Sequence, residues 1–123
     1  MTNLDLGTKH FLHAFKHSYD GFVSAFKTEI AFRQDCVIFV IGLLLLPFIP
    51  AVLWQKALLI SVLLFVLLME LVNTAIEAVI DRISPEYHEL SKKAKDIGSL
   101  LVFLAYINSS LIWAAVLYDV FIK

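Results

Sequence analysis

The sequence is poor in the residues that build most soluble active sites. It has one cysteine, Cys36, in 123 residues. A single thiol excludes an internal disulfide framework and a cysteine-based metal centre, and its place at the head of an apolar run suits small-residue packing. Only three prolines and four glycines punctuate the chain. Gly7, Gly21, Gly42 and Gly98 are scattered, so no Walker A phosphate loop exists, and neither HExxH nor a serine-nucleophile signature is present. Charged residues make up 17% of the chain and the formal net charge is −1. No long basic run occurs, which argues against a nucleic-acid partner. A cleavable signal peptide is not expected. The first apolar run follows a long polar-containing segment and has no small-residue cleavage pattern after it.

What the chain has in abundance is apolar side chain, 60% of all residues. A greasy soluble bundle would arrange these in stripes; here they lie in continuous runs, which predicts an all-α membrane protein of one domain spanning residues 1–123. Residues 1–8 are polar and expected to be frayed. A surface helix is predicted over about 9–27, because Phe11, Phe15, Phe22 and Phe26 fall within about 60° of one another at ~100° per residue. Leu12, Tyr19, Val23 and Ile30 widen that face, and Lys16, Asp20, Ser24 and Lys27 occupy the other. Gly21 is a candidate break. Beside membrane helices, such a segment lies in the interface plane.

The stretch "CVIFVIGLLLLPFIPAVLW", residues 36–54, has no charge but is divided by Pro47 and Pro50. It predicts a first transmembrane helix over about 29–46, then a tight turn at "PFIP". The apolar part of that helix is short for a bilayer and borrows length from the Arg33 end, where a long side chain can snorkel. Two further spans are predicted over about 54–82 and about 92–120, separated by the polar linker "RISPEYHELSKKAKD", in which Pro85 ends the preceding helix. Lys9, Lys16, Lys27 and Arg33 precede the first span, and Arg82, Lys92, Lys93 and Lys95 lie between the second and third. The hairpin between the first and second spans offers only Lys56, and the C-terminus only Lys123. The positive-inside bias therefore predicts a multi-pass protein with the N-terminus and second loop cytoplasmic and the C-terminus outside.

Chemistry concentrates in "MELVNTAIEAVIDR", residues 69–82. Glu70, Asn73, Glu77 and Asp81 fall at about 0°, −60°, −20° and +20° around a helix, one narrow polar face running out of an apolar span. Three stacked acids repel, and an ionised acid near hydrocarbon is expensive. A divalent cation relieves both, and hard carboxylate and amide oxygens suit Mg²⁺. A bound proton would do so too, so a proton-coupled transporter uses the same ingredients. For Asp81, and partly for Glu77, a helix end facing water is also an adequate account. Glu29 shares the helical angle of Phe11, out of pattern for a simple amphipathic helix, and is either a cation ligand from a second helix or a water-facing acid at a bend. Lys95 and Asp96 open the third helix, where a lysine near carboxylates and Mg²⁺ suits a polyphosphate; for an unassigned pair, a solvated helix start is the more ordinary account. His10, His13 and His17 form an i, i+3, i+7 array that fits either phosphate contact or an ordinary polar edge.

The segments "EIAFRQD" (29–35), "MELVNTAIEAVIDR" (69–82) and "EYHELSKKAKDIGS" (86–99) closely resemble, in order and spacing, those of the small prokaryotic diacylglycerol kinase family. The resemblance covers nearly the whole chain. It implies a homotrimer in the bacterial inner membrane, with three transmembrane helices and an N-terminal amphipathic surface helix per protomer and a periplasmic C-terminus. It further implies Mg²⁺-dependent transfer of the γ-phosphoryl of ATP to the primary hydroxyl of diacylglycerol, giving phosphatidic acid. Carried over residue by residue, Glu70 resembles the catalytic base and Asn73 a catalytic residue beside it. Glu29 and Glu77 resemble the metal-linked carboxylates that hold ATP. His10, His17, Glu86, Tyr87, His88, Lys95 and Asp96 match nucleotide-contacting positions. Ala31, Phe32, Arg33, Gln34, Asp35, Lys56, Ser99 and Trp113 match lipid-substrate positions, as do His10 and Glu70. The N-terminus departs from the pattern: His10, His17 and Asp20 stand where the best-known members carry arginine, tyrosine and lysine. The nearest rival by resemblance is undecaprenol kinase, which shares the phosphoryl machinery; "AFRQD" and "DRISPEYHELS" lean to the diacylglycerol branch. A small cation-coupled transporter is the rival from another class, and it would need a continuous polar path across the bilayer.

Overall fold

Thr2 and Asp5 stand three residues apart, the spacing of a capping box. The computed structural model describes residues 2–123. The box closes there: the Thr2 hydroxyl accepts from the Asp5 N–H at 3.3 Å, and the Thr2 N–H donates to the Asp5 carboxylate at 3.2 Å. The Thr2 hydroxyl, and after it the Thr2 backbone N–H, hold the Asp5 carboxyl below its ordinary value. Helix α1 therefore runs from Asn3 to Thr28. Residues 3–8, expected to be frayed, are helical because their first-turn donors are satisfied. Gly21 does not break α1 either. One glycine costs only about 1 kcal/mol against alanine in a helix interior, which seven turns of helix absorb. The aromatic stripe is exposed, with Phe11 and Phe15 at 70% and 69%, and Phe22 and Phe26 stack with ring centroids 5.9 Å apart. Residues Met1–Ile30 form one compact unit and Ala31–Lys123 a second.

Helix α2 spans Ile30–Leu45 and ends where Pro47 denies it a donor. A single 3-10 turn, Leu46–Phe48, follows, and the Ile49 N–H closes onto the Leu46 carbonyl at 3.2 Å. Helix α3 spans Leu53–Ile83, and its start is held by Gln55, whose Oε1 accepts from the Val52 N–H at 3.1 Å. Helix α4 spans Glu89–Phe121. His88 caps it, with Nδ1 accepting from the Leu90 N–H at 3.1 Å.

Helices α3 and α4 pack antiparallel along their length. Gln55 Nε2 donates to Asp119 at 3.1 Å, Trp113 Nε1 donates to the Leu59 carbonyl at 3.3 Å, Gly98 lies against Asn73, and Lys95 reaches Asp81 at 2.9 Å. Leu46, Ile49, Leu59 and Val116 form the buried cluster at the Gln55 end. Helix α2 joins them through side chains: a Cβ on Gly42 would sit 2.3 Å from the Leu63 side chain, so a larger residue there would push Leu63 aside.

Three segments, Ile30–Phe48, Leu53–Ile83 and Glu89–Phe121, are long and apolar enough to cross a membrane. The fold is thus all-α, three membrane-length segments preceded by an N-terminal helix. Only 17–22% of each apolar window is buried within the chain. The rest needs an apolar surrounding, whether lipid or a second protomer.

Candidate active site

Helix geometry sets the depth of each group on α3. At ~1.5 Å per residue, Glu70 lies about 26 Å from the Leu53 end, just inside a hydrocarbon layer of ~30 Å. Asn73 lies about at its edge, and Glu77 and Asp81 lie about 6 and 12 Å beyond it. The polar face therefore climbs from hydrocarbon to water, about one turn at a time.

The deepest layer holds two buried acids. Glu70 is 6% exposed and Asp35, on α2, is 4% exposed. The Asp35 carboxyl adjoins that of Glu70. Its Oδ1 accepts from the Tyr106 hydroxyl on α4, and its Oδ2 is buried without a hydrogen-bond partner. Three helices thus converge on one acidic pair in a region where isolated charge is costly.

One turn out, the Asn73 amide donates to Glu77 Oε1 at 3.5 Å. The Asn73 Oδ1 is buried without a partner, as is Thr74 Oγ1. The Asn73 Oδ1 faces Gly98, where a Cβ would stand 2.3 Å away. Gly98 is what allows α4 to approach the polar face. Gly98→Ala is therefore expected to displace Asn73, lowering stability by about 1–3 kcal/mol and activity by more than the stability loss explains. Thermal unfolding and turnover measured on the same preparation check this.

Among the described residues, no three His, Cys, Asp or Glu side chains converge as a metal site. Mg²⁺ does not require such a cage: it commonly takes one or two carboxylates and completes its shell with water and substrate phosphate. Glu77 and the orphaned Asn73 Oδ1 are hard oxygen donors of that kind, so these residues fit the ion. Glu29 caps α1 in extended backbone, half-buried, and belongs to the other compact unit.

The outermost layer is basic and acidic together. Lys95 pairs with Asp81 at 2.9 Å and Lys92 with Asp96 at 2.6 Å. A cleft of about 460 Å³ lies here, lined by Glu86, Tyr87 and His88 of the loop and by Asp81, Lys92, Lys95 and Asp96. Its size is in the range of small-molecule sites. His88 already uses Nδ1 to cap α4, leaving its other nitrogen for a ligand. His10 and His17 lie exposed on α1.

A second cavity of about 270 Å³ opens below the acidic pair, between α2, α3 and α4, with Asp35, Tyr106, Ser109 and Trp113 among apolar walls. Of the lipid-position residues, Asp35 and Trp113 line it. Phe32 is fully buried, Arg33 is half-buried, and Ala31, Gln34 and Ser99 are exposed. Lys56 is not brought to this layer: it lies on the first turn of α3, about 21 Å along the helix from Glu70.

Gly98 and Tyr106 escaped the sequence reading. A tyrosine in the middle of an apolar span was the available signal, since a phenol hydroxyl away from water needs a partner. Gly98 had none, because its importance arises only from the α3–α4 register.

A family model for prokaryotic diacylglycerol kinase matches residues 16–117. The chain is 41% identical over 112 residues to a diacylglycerol kinase of Haemophilus influenzae, covering 91% of this chain and 95% of that protein. It is 37% identical over 121 residues to one of Escherichia coli, covering 98% and 99%. One of Pseudomonas aeruginosa is 41% identical over 111 residues, with 90% of each chain covered. Together with the three apolar segments and the polar layers at their shared end, these similarities establish that the chain belongs to the prokaryotic diacylglycerol kinase family.

Proposed function

We propose that this protein transfers the γ-phosphoryl of ATP to the primary hydroxyl of diacylglycerol, giving phosphatidic acid and ADP. The observation that carries this reading is the depth order on one face: a buried acid at the hydrocarbon edge, amide and carboxylate oxygens one and two turns out, and a lysine-lined cleft beyond. A diacylglycerol hydroxyl sits at the first level and a nucleotide at the last.

Glu70 accepts the proton of the lipid hydroxyl as its oxygen bonds to the γ-phosphorus and the bond to the ADP oxygen breaks. Asn73 orients the groups beside it. Glu77, with Glu29, holds the metal-linked nucleotide. Mg²⁺, when bound, supplies charge neutralisation to the phosphates. Lys95 neutralises phosphate charge from the water side, with Asp96, Glu86, Tyr87, His88, His10 and His17 as nucleotide contacts. Ala31 to Asp35, Lys56, Ser99 and Trp113 contact the lipid.

The protein acts as a homotrimer, in keeping with the large apolar surface each span leaves uncovered. It lies in the bacterial inner membrane with its N-terminus and second loop cytoplasmic and its C-terminus periplasmic, as the lysine and arginine distribution favours.

Purified protein in a lipid-like detergent, given labelled ATP with dioleoylglycerol or undecaprenol, tests the assignment. Label is expected on dioleoylglycerol. Preference for undecaprenol would reassign the acceptor to a long isoprenoid alcohol, and transfer to neither would overturn the kinase reading in favour of a cation-coupled transporter.

A further inference from the structure

Asp35, Glu70 and Tyr106 come from α2, α3 and α4 and meet at hydrocarbon depth. Both acids are more than nine-tenths buried. Few dipoles are available there to hold a carboxyl in one orientation, so each hydrogen bond counts for more than it would in water. The Tyr106 hydroxyl donates to Asp35 Oδ1, and the Asp35 carboxyl adjoins that of Glu70.

The placement of the hydroxyl is over-determined. Tyr106 lies on α4 between two contacts that set the helix register, Gly98 against Asn73 and the Trp113 indole on the Leu59 carbonyl. Tyr106 is 37% exposed and lines the cavity between α2, α3 and α4, where an aliphatic side chain would serve as well. What tyrosine adds is the hydroxyl, and Asp35 is where it goes.

We propose that Tyr106 is a positioning residue for Glu70: by donating to Asp35 it fixes the acidic pair, so that the Glu70 carboxyl faces the incoming lipid hydroxyl. Tyr106 exchanges no proton with substrate. The inference rests on the proposed role of Glu70 as base and extends it to a residue on a third helix.

The test uses the full-length protein in detergent with dioleoylglycerol and Mg-ATP, and compares Tyr106→Phe, Asp35→Asn, the double variant and Glu70→Gln. Tyr106→Phe is expected to lower kcat about tenfold while KM for each substrate moves less than about twofold, the pattern of an interaction felt in the transition state. Asp35→Asn should lower kcat at least as far, and the double variant no further than Asp35→Asn alone, because both act through one carboxyl. With Glu70→Gln inactive, an unchanged kcat in Tyr106→Phe, a loss confined to KM, or additive losses in the double variant would overturn the positioning role and leave the base in place. Full turnover in Glu70→Gln would overturn the base, and the positioning role with it. If Tyr106→Phe does not fold, the same kcat-against-KM split measured in Tyr106→Leu decides.

Discussion

Glu70→Gln is expected to lower phosphoryl transfer to diacylglycerol by about 10³-fold in kcat, within the range general-base removal produces. The substitution keeps shape and hydrogen-bonding reach and removes the proton acceptor. Glu70 is buried beside Asp35, so an amide also replaces an expensive charge, and stability should not fall. ATP binding should persist, because the proposed nucleotide cleft lies about 15 Å further along α3, near Ile80 and Asp81. Steady-state kinetics with an independent nucleotide-binding measurement checks this. A folded, ATP-binding Glu70→Gln protein with full turnover would falsify the assignment.

Lys95→Ala is expected to lower kcat/KM for ATP by about 10²-fold, the usual effect of deleting one preorganised donor to developing phosphate charge. Its bond to Asp81, at 2.9 Å, is too exposed to matter greatly for folding: the side chains are 43% and 68% accessible, and such pairs contribute about 0–1 kcal/mol. Lys95 is half-buried and Asp81 is its water-side partner, so an arriving phosphate can displace that carboxylate and take the ammonium. The loss should therefore appear in ATP kinetics with an almost unchanged melting curve. Lys95→Arg should recover only part of it, since a planar guanidinium does not replace a point ammonium in a shaped cleft. An equal loss of Tm and activity would assign Lys95 a structural role instead.

The layers differ in how much of them local pattern reveals. Glu70, Asn73, Glu77 and Asp81 lie on one helix, so their common face follows from residue spacing alone. The Lys95–Asp81 pair joins two helices but flanks a short linker; its charges were visible in the sequence as a polar linker and a helix start, and the cleft they line came only with the structure. Asp35, Tyr106 and Gly98 are different. Asp35 could be named by resemblance, but nothing near it in the chain indicates Tyr106 as its partner, 71 residues away. At the N-terminus the error ran the other way: polarity suggested fraying over residues 1–8, whereas Thr2 and Asp5 supply the capping bonds that carry the helix to Asn3.

By itself, the sequence determined the helical character, the number of membrane-length segments and the one-sided polar face. Hydrocarbon leaves backbone groups no partners outside the chain, so apolar runs of this length become helices, and the spacing of acids on a helix is arithmetic. Only the tertiary structure decided which helices meet and at what register. Many antiparallel registers of α3 and α4 preserve the same hydrophobic pattern. One of them places Gly98 over Asn73 and the Trp113 indole on the Leu59 carbonyl, because side-chain volume and hydrogen-bond geometry, not periodicity, separate the alternatives.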